Sequence, residues 1–127
     1  MKEEINRDAV RSLYDKLGGN TAIRAVVNEF YDRMIKDPLV SSLFDGVDLV
    51  SLRKHQAQFL AYALGGPVKY DGSTLRESHT GLNITDKQYE ATIRHLNAVL
   101  RKLNVELEDR AKIEAFIRSV KPFIINK

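Results

Sequence analysis

The sequence predicts an all-α domain, and three observations carry that prediction. Apolar residues recur at spacings of three and four almost throughout, no stretch alternates with period two for long enough to build a sheet, and Gly or Pro closes most of the periodic runs. A first helix over about Arg7 to Leu17 puts Val10, Leu13, Tyr14 and Leu17 on one face and ends at Gly18-Gly19. Asn20 then offers an N-cap for a second helix, whose Ile23, Val26, Val27, Phe30, Tyr31 and Met34 form one stripe before Pro38, so Tyr31 points inward. The segment "LVSSLFDGVD" is an apolar corner with Leu43 and Phe44, punctuated by Gly46. Asp48 caps a third helix with a face of Leu52, His55 or Gln56, Phe59 and Ala63, closed by Gly65-Gly66-Pro67. Val68 to Thr74 reads as loop, and Leu75 to Thr80 as one or two helical turns stopped by Gly81, too short to be stable alone. Thr85 and Gln88 form a capping box before a helix with Tyr89, Ile93, Leu96, Leu100 and Leu103 on one stripe. The last helix runs from about Glu106 towards Pro122 and buries Ile113, Phe116, Ile117 and Val120.

A chain of 127 residues has room for one core and one domain. Its 43% hydrophobic and 29% charged residues are the balance of an ordinary globule. The net charge is +3, and Lys and Arg alternate with Asp and Glu, so no basic stripe marks a nucleic-acid surface. With no cysteine there are no disulfides, thiolate zinc sites or iron–sulfur clusters, and any metal must use imidazole or oxygen ligands. The N-terminus "MKEEINRDAV" lacks an apolar signal core, and no run approaches the roughly 18 to 20 apolar residues of a membrane span, so a cytoplasmic protein without a membrane partner is expected. There is no HExxH, P-loop, GxGxxG or GxSxG motif and no inward pair of acids. Hydrolytic, phosphoryl-transfer and dinucleotide chemistry therefore have no visible machinery.

The polar residues on apolar faces are the candidates for function. His95 sits at the edge of a long stripe and reads as a hydrogen-bonded boundary residue. His55 falls at the margin of the third helix's inner face, while Gln56, four residues after Leu52, lies squarely on it. A buried glutamine costs about 1 to 3 kcal/mol if left unpaired, so something polar should meet it, and Tyr31 is one partner it could bond. His79 stands on a stub with little apolar area of its own; the residues alone leave open whether it is a ligand that orders the stub or a surface histidine.

In order along the chain, "SLYDKLGG", "FYDRM", "LFDGVD", "LRKHQAQFLAYALGG" and "LRESHTGL" resemble the group I truncated haemoglobins, the two-on-two helical globins with a much reduced F helix. The resemblance covers residues 12–127 as the globin domain and leaves 1–11 as a polar N-terminal extension, for which a solvated tail is expected. It implies haem b as cofactor, with His79 as the proximal iron ligand and Phe44, Leu52, Phe59, Leu75, Arg76, Leu82, Ile84 and Tyr89 around the ring, Arg76 beside a propionate.

On the distal side the resemblance places Tyr31, Leu52 and Gln56 around a diatomic gas, dioxygen, nitric oxide or carbon monoxide, with the phenol and the amide as donors to a ligand carrying partial negative charge. Similar Tyr/Leu/Gln pockets are associated with oxidation of nitric oxide to nitrate. That chemistry needs a separate reductase, since nothing here looks like a flavin domain. Some related cyanobacterial members use a histidine at the position matching His55 as a sixth iron ligand, and can attach haem through a histidine in the last helix. This chain has no histidine after His95, so that covalent link is not expected. A hexacoordinate sensor or electron-transfer protein, or a cofactor-free helical interaction domain, stand as the alternatives, and a monomer is expected.

Overall fold

The computed structural model describes residues 7–68 and 83–125. Among them are five α-helices and no strand: α1 Leu13–Leu17, α2 Gly19–Met34, α3 Leu49–Ala63, α4 Asp86–Lys102 and α5 Leu107–Val120, with short 3₁₀ turns at Ser41–Phe44 and Lys121–Phe123. The expected stub at Leu75 to Thr80 lies outside the described residues.

The helices form where the apolar spacing puts them. Ile23, Val26, Val27, Tyr31 and Met34 of α2 are buried, as are Tyr89, Ile93 and Leu100 of α4 and Ile113, Phe116 and Val120 of α5. α2 packs against both α3 and α4, and α4 against α5, so two helix pairs share one core, as the predicted two-on-two architecture requires. No helix of the described residues is long and apolar enough to cross a membrane.

The caps are local chemistry read directly from the chain. Asp48 Oδ1 accepts from the amides of Val50 and Ser51 at 3.0 and 3.3 Å, opening α3. Thr85 and Gln88 close a reciprocal capping box at 3.0 and 3.1 Å before α4. His95 Nε2 lies 2.7 Å from Asp37 Oδ2, the bonded boundary residue that its position predicts. Asn20 is not a cap. Gly18, at φ 118°, ends α1 and also serves as the N-cap of α2, so the joint is one residue long and Asn20 falls within the first turn.

The first helix is shorter than its apolar face suggests. A continuous helix would give the Tyr14 amide to Val10, but that amide donates to Leu64 O at 2.8 Å, and residues 7–12 form turns instead. Nor is the segment ahead of it a solvated tail over residues 7–11. Val10 is fully buried, Arg7 Nη1 donates to Tyr62 O at 2.6 Å, and the Arg7 guanidinium lies 4.0 Å over the Tyr62 ring.

Its seat is the end of α3. A Cβ at Gly65, where φ is +93°, would stand 1.5 Å from Arg11 O, so the two backbones touch only because position 65 has no side chain. Gly46 has a comparable φ of +73° with nothing within 4 Å of an added Cβ. Gly46→Ala should therefore cost only the left-handed backbone penalty of about 1 kcal/mol, and Gly65→Ala about 3 kcal/mol or more, as urea-unfolding midpoints would measure. Equal costs would mean that residues 7–11 do not rest on the helix end.

Candidate functional site

Five stretches converge on one cavity of about 290 Å³, close to the lower end of the size range of small-molecule sites. α2 supplies Val26, Val27, Phe30, Tyr31 and Met34; the corner supplies Leu43, Phe44 and Val47; α3 supplies Leu52, His55, Gln56, Phe59 and Leu60. Ile84 with Tyr89, Thr92 and Leu96 of α4 close a further side, and Ile117, Val120 and Ile124 complete it. The walls are apolar because each helix turns the stripe of its amphipathic face to this space.

Polar groups are few and unequal in what they have left to offer. The Tyr89 hydroxyl donates to Ile117 O at 2.6 Å, and Thr92 Oγ1 to Gln88 O at 2.9 Å. By contrast, no described residue hydrogen-bonds the Tyr31 hydroxyl or the Gln56 amide, although both side chains line the cavity. The Tyr31–Gln56 bond that the sequence allows is thus not made. His55 also lines the cavity, with its Nε2 shielded from solvent, so it stands further in than the helix margin assigned to it.

Tyr31 is held tightly. It is 6% exposed, with Phe30 and Phe44 edge-on at centroid distances of 4.9 and 5.7 Å and the Arg53 guanidinium 6.0 Å from its ring centre. Burial pushes its phenol well above the usual tyrosine value, against a smaller opposite pull from Arg53. It is therefore a neutral O–H donor throughout the physiological range. Phe59 stacks on Phe116 at 6.1 Å and fixes another wall.

Of the residues singled out from sequence, Tyr31, Phe44, Leu52, His55, Gln56, Phe59, Ile84 and Tyr89 come together around this cavity. Leu75, Arg76, His79 and Leu82 lie outside the described residues. Thr92 and Arg53 were missed. Thr92 lies three residues after Tyr89 on the same α4 stripe, which is a signal the spacing contained. Arg53 faces away from the apolar stripe and gave none. The lining suits a flat, largely apolar ring system: apolar walls on several sides, and Tyr31, His55 and Gln56 gathered on α2 and α3.

Comparison with known proteins decides the family. The model of the bacterial-like globin family matches residues 12–126. The group 1 truncated haemoglobin LI410 of Chlamydomonas moewusii is 39% identical over 117 residues, covering 91% of this chain and 68% of its own. Among solved structures, the Fe(III) form of truncated haemoglobin from Tetrahymena pyriformis superimposes with a TM-score of 0.84 at 32% identity, over 91% of this chain and 98% of that one. The 2/2 haemoglobin of a Synechococcus species, solved in the cyanomet state with covalently attached haem, gives a TM-score of 0.79 at 31% identity, over 87% of this chain and 93% of that one. The chain belongs to the group 1 truncated haemoglobins.

Membership of a globin family implies haem, and with it the binding of diatomic gases such as dioxygen. The truncated haemoglobin fold thus gives the cavity its occupant class, and the cavity's chemistry is compatible with it.

The buried phenol has a consequence for stability at high pH. An unfolded tyrosine loses its proton above about pH 10, whereas folded Tyr31, with its raised value, keeps it. The unfolded state then binds fewer protons, so the stability present below about pH 10 declines as pH rises past it. Urea unfolding at about pH 9 and pH 11 should show a smaller alkaline loss in Tyr31→Phe than in the wild type. Equal losses would mean that water reaches the phenol.

Proposed function

We propose that the cavity is the distal half of a haem b pocket in which Tyr31 and Gln56 donate hydrogen bonds to a diatomic gas, and that the chain oxidises nitric oxide to nitrate. The observation that carries this reading is the pair of polar donors, one from α2 and one from α3, lining an apolar cavity without bonding each other. Haem, when bound, would supply the redox chemistry by which dioxygen and nitric oxide give nitrate, and a separate reductase would return the electron that each turnover consumes.

The chain's part is to position and exclude. His79 would provide the iron-ligating imidazole; Phe44, Phe59, Leu75, Leu82, Ile84 and Tyr89 would hold the ring by apolar contact, and Arg76 would pair with a propionate. Leu52 keeps water from the gas, because its apolar side chain lines the cavity beside Gln56. Tyr31 and Gln56 stabilise negative charge on the outer ligand atom, which slows release and suits reaction better than delivery. The histidines are three in number and none follows His95, which fits haem held without a covalent link. We place this activity in the cytoplasm, in a monomer.

His79→Ala should lose the Soret band of the purified protein or weaken haem retention severely; full retention would remove His79 from the role. Tyr31→Phe should release dioxygen about tenfold to a hundredfold faster, the worth of one hydrogen bond of roughly 1 to 3 kcal/mol, by stopped-flow displacement. Adding nitric oxide to the oxygenated protein with a recycling reductant should yield stoichiometric nitrate, and its absence would leave gas binding without turnover.

A second reading follows from His55 lining the same cavity as Gln56. In it His55 would ligate the iron at rest, and incoming gas would compete with the protein. A low-spin ferric spectrum lost in His55→Ala supports this state, and a high-spin wild type excludes it.

A further inference from the structure

We propose that Arg53 is the positioning residue for the two donors of the cavity, clamping the turn of α2 that carries Tyr31 to the turn of α3 that carries Gln56. Its fork reaches across the helix pair. Nη1 donates to the carbonyl of Asn28 at 3.1 Å, and Nη2 to Asp32 Oδ1 at 3.0 Å. Asn28 and Asp32 are four residues apart, one turn of α2, and Tyr31 lies between them. On its own helix Arg53 directly follows Leu52 and precedes Gln56 by three residues.

The need for such a clamp follows from what else joins the donors. Tyr31 and Gln56 line one cavity from different helices and make no bond to one another, so their separation is set entirely by the register of α2 on α3. Apolar packing between helices is not directional, whereas a planar guanidinium bonded to one main-chain carbonyl and one carboxylate favours one register. The Arg53 side chain is 23% exposed and that of Asp32 59%, so the main-chain bond to Asn28 carries more of the clamp than the solvated ion pair. The same guanidinium stands 6.0 Å from the Tyr31 ring centre, at the outer reach of a cation–π contact, on a ring already confined by Phe30 and Phe44. One side chain therefore orients the phenol and sets how far the amide stands from it.

The effect on ligand binding rests on the gas-site reading above; the effect on Tyr31 does not. Full-length protein is labelled with 3-fluorotyrosine, with and without haem, and the resonance of Tyr31 among the five tyrosines is assigned by its loss in Tyr31→Phe. Arg53→Gln should shift that resonance by more than its linewidth. Arg53→Lys, which keeps the charge and loses the fork, should not restore it. In the carbon monoxide form, Arg53→Gln should move the C–O stretching frequency towards that of Tyr31→Phe, and the double variant should move little beyond Tyr31→Phe alone. An unmoved Tyr31 resonance in Arg53→Gln overturns the inference, as do additive C–O shifts in the double variant, which would mean that Arg53 acts on the ligand without Tyr31. A chain that takes up no haem sinks the gas-site reading and leaves the fluorine comparison to decide Arg53.

Discussion

The helix pair α2 and α3 must hold an apolar space open while presenting two polar groups to it, and the remaining architecture can be understood from that demand. The Tyr31 hydroxyl and the partly buried Gln56 amide line that space without bonding each other, and wall atoms facing a void forgo dispersion contacts. A single-domain protein has only a small margin to absorb such costs. Here the rest of the core is closely filled: Val10, Ile23, Leu64, Leu100 and Ile113 are almost entirely removed from solvent. A ligand that accepts from Tyr31 and Gln56 would recover part of the cost, so occupancy and stability rise together.

Much of this was legible in the chain, because helical periodicity is a local signal. Tyr31 and Gln56 declared themselves as polar residues squarely on apolar faces, and Asp48, Thr85 and Gln88 declared themselves as caps. What was not legible depends on contacts between segments distant in sequence. The seat of residues 7–11 on α3 is backbone against backbone at Arg11 and Gly65, and a glycine that permits close approach looks in sequence like one that ends a helix. Asp109 reads as an ordinary first-turn acid of α5, yet it is 2% exposed, paired with Lys16 Nζ at 2.8 Å, because α1 arrives over it. Arg53 was hidden for the same reason: its acceptors lie 25 and 21 residues away, and one is a main-chain carbonyl.

Several of these contacts fall along α3. Asp48 satisfies its first amides, Arg53 fastens its second turn to α2, and the N-terminal segment rests on its last turn through Gly65, Tyr62 and Leu64. α3 is the helix that carries Leu52, His55 and Gln56, so it is held at both ends and along its length where it contributes most to the cavity. Site geometry in this chain therefore depends on how α3 is fixed as well as on how the Tyr31 ring is confined.

That conclusion bears on the proposed competition between gas and His55. Successive residues on a helix are about 100° apart, so His55 and Gln56 can both line the cavity only if its centre lies between their two directions. Bringing the imidazole fully over the centre requires α3 to turn by some fraction of that angle, and the turn carries Arg53 away from Asn28 and Asp32 on α2. A state with His55 central and one with Gln56 facing the gas would thus differ in the Arg53 fork as well as in the cavity. On that proposal a ligand that prefers one of them would shift the fork, and a change at Arg53 that acts differently on the two would shift the balance between internal and external ligands in return.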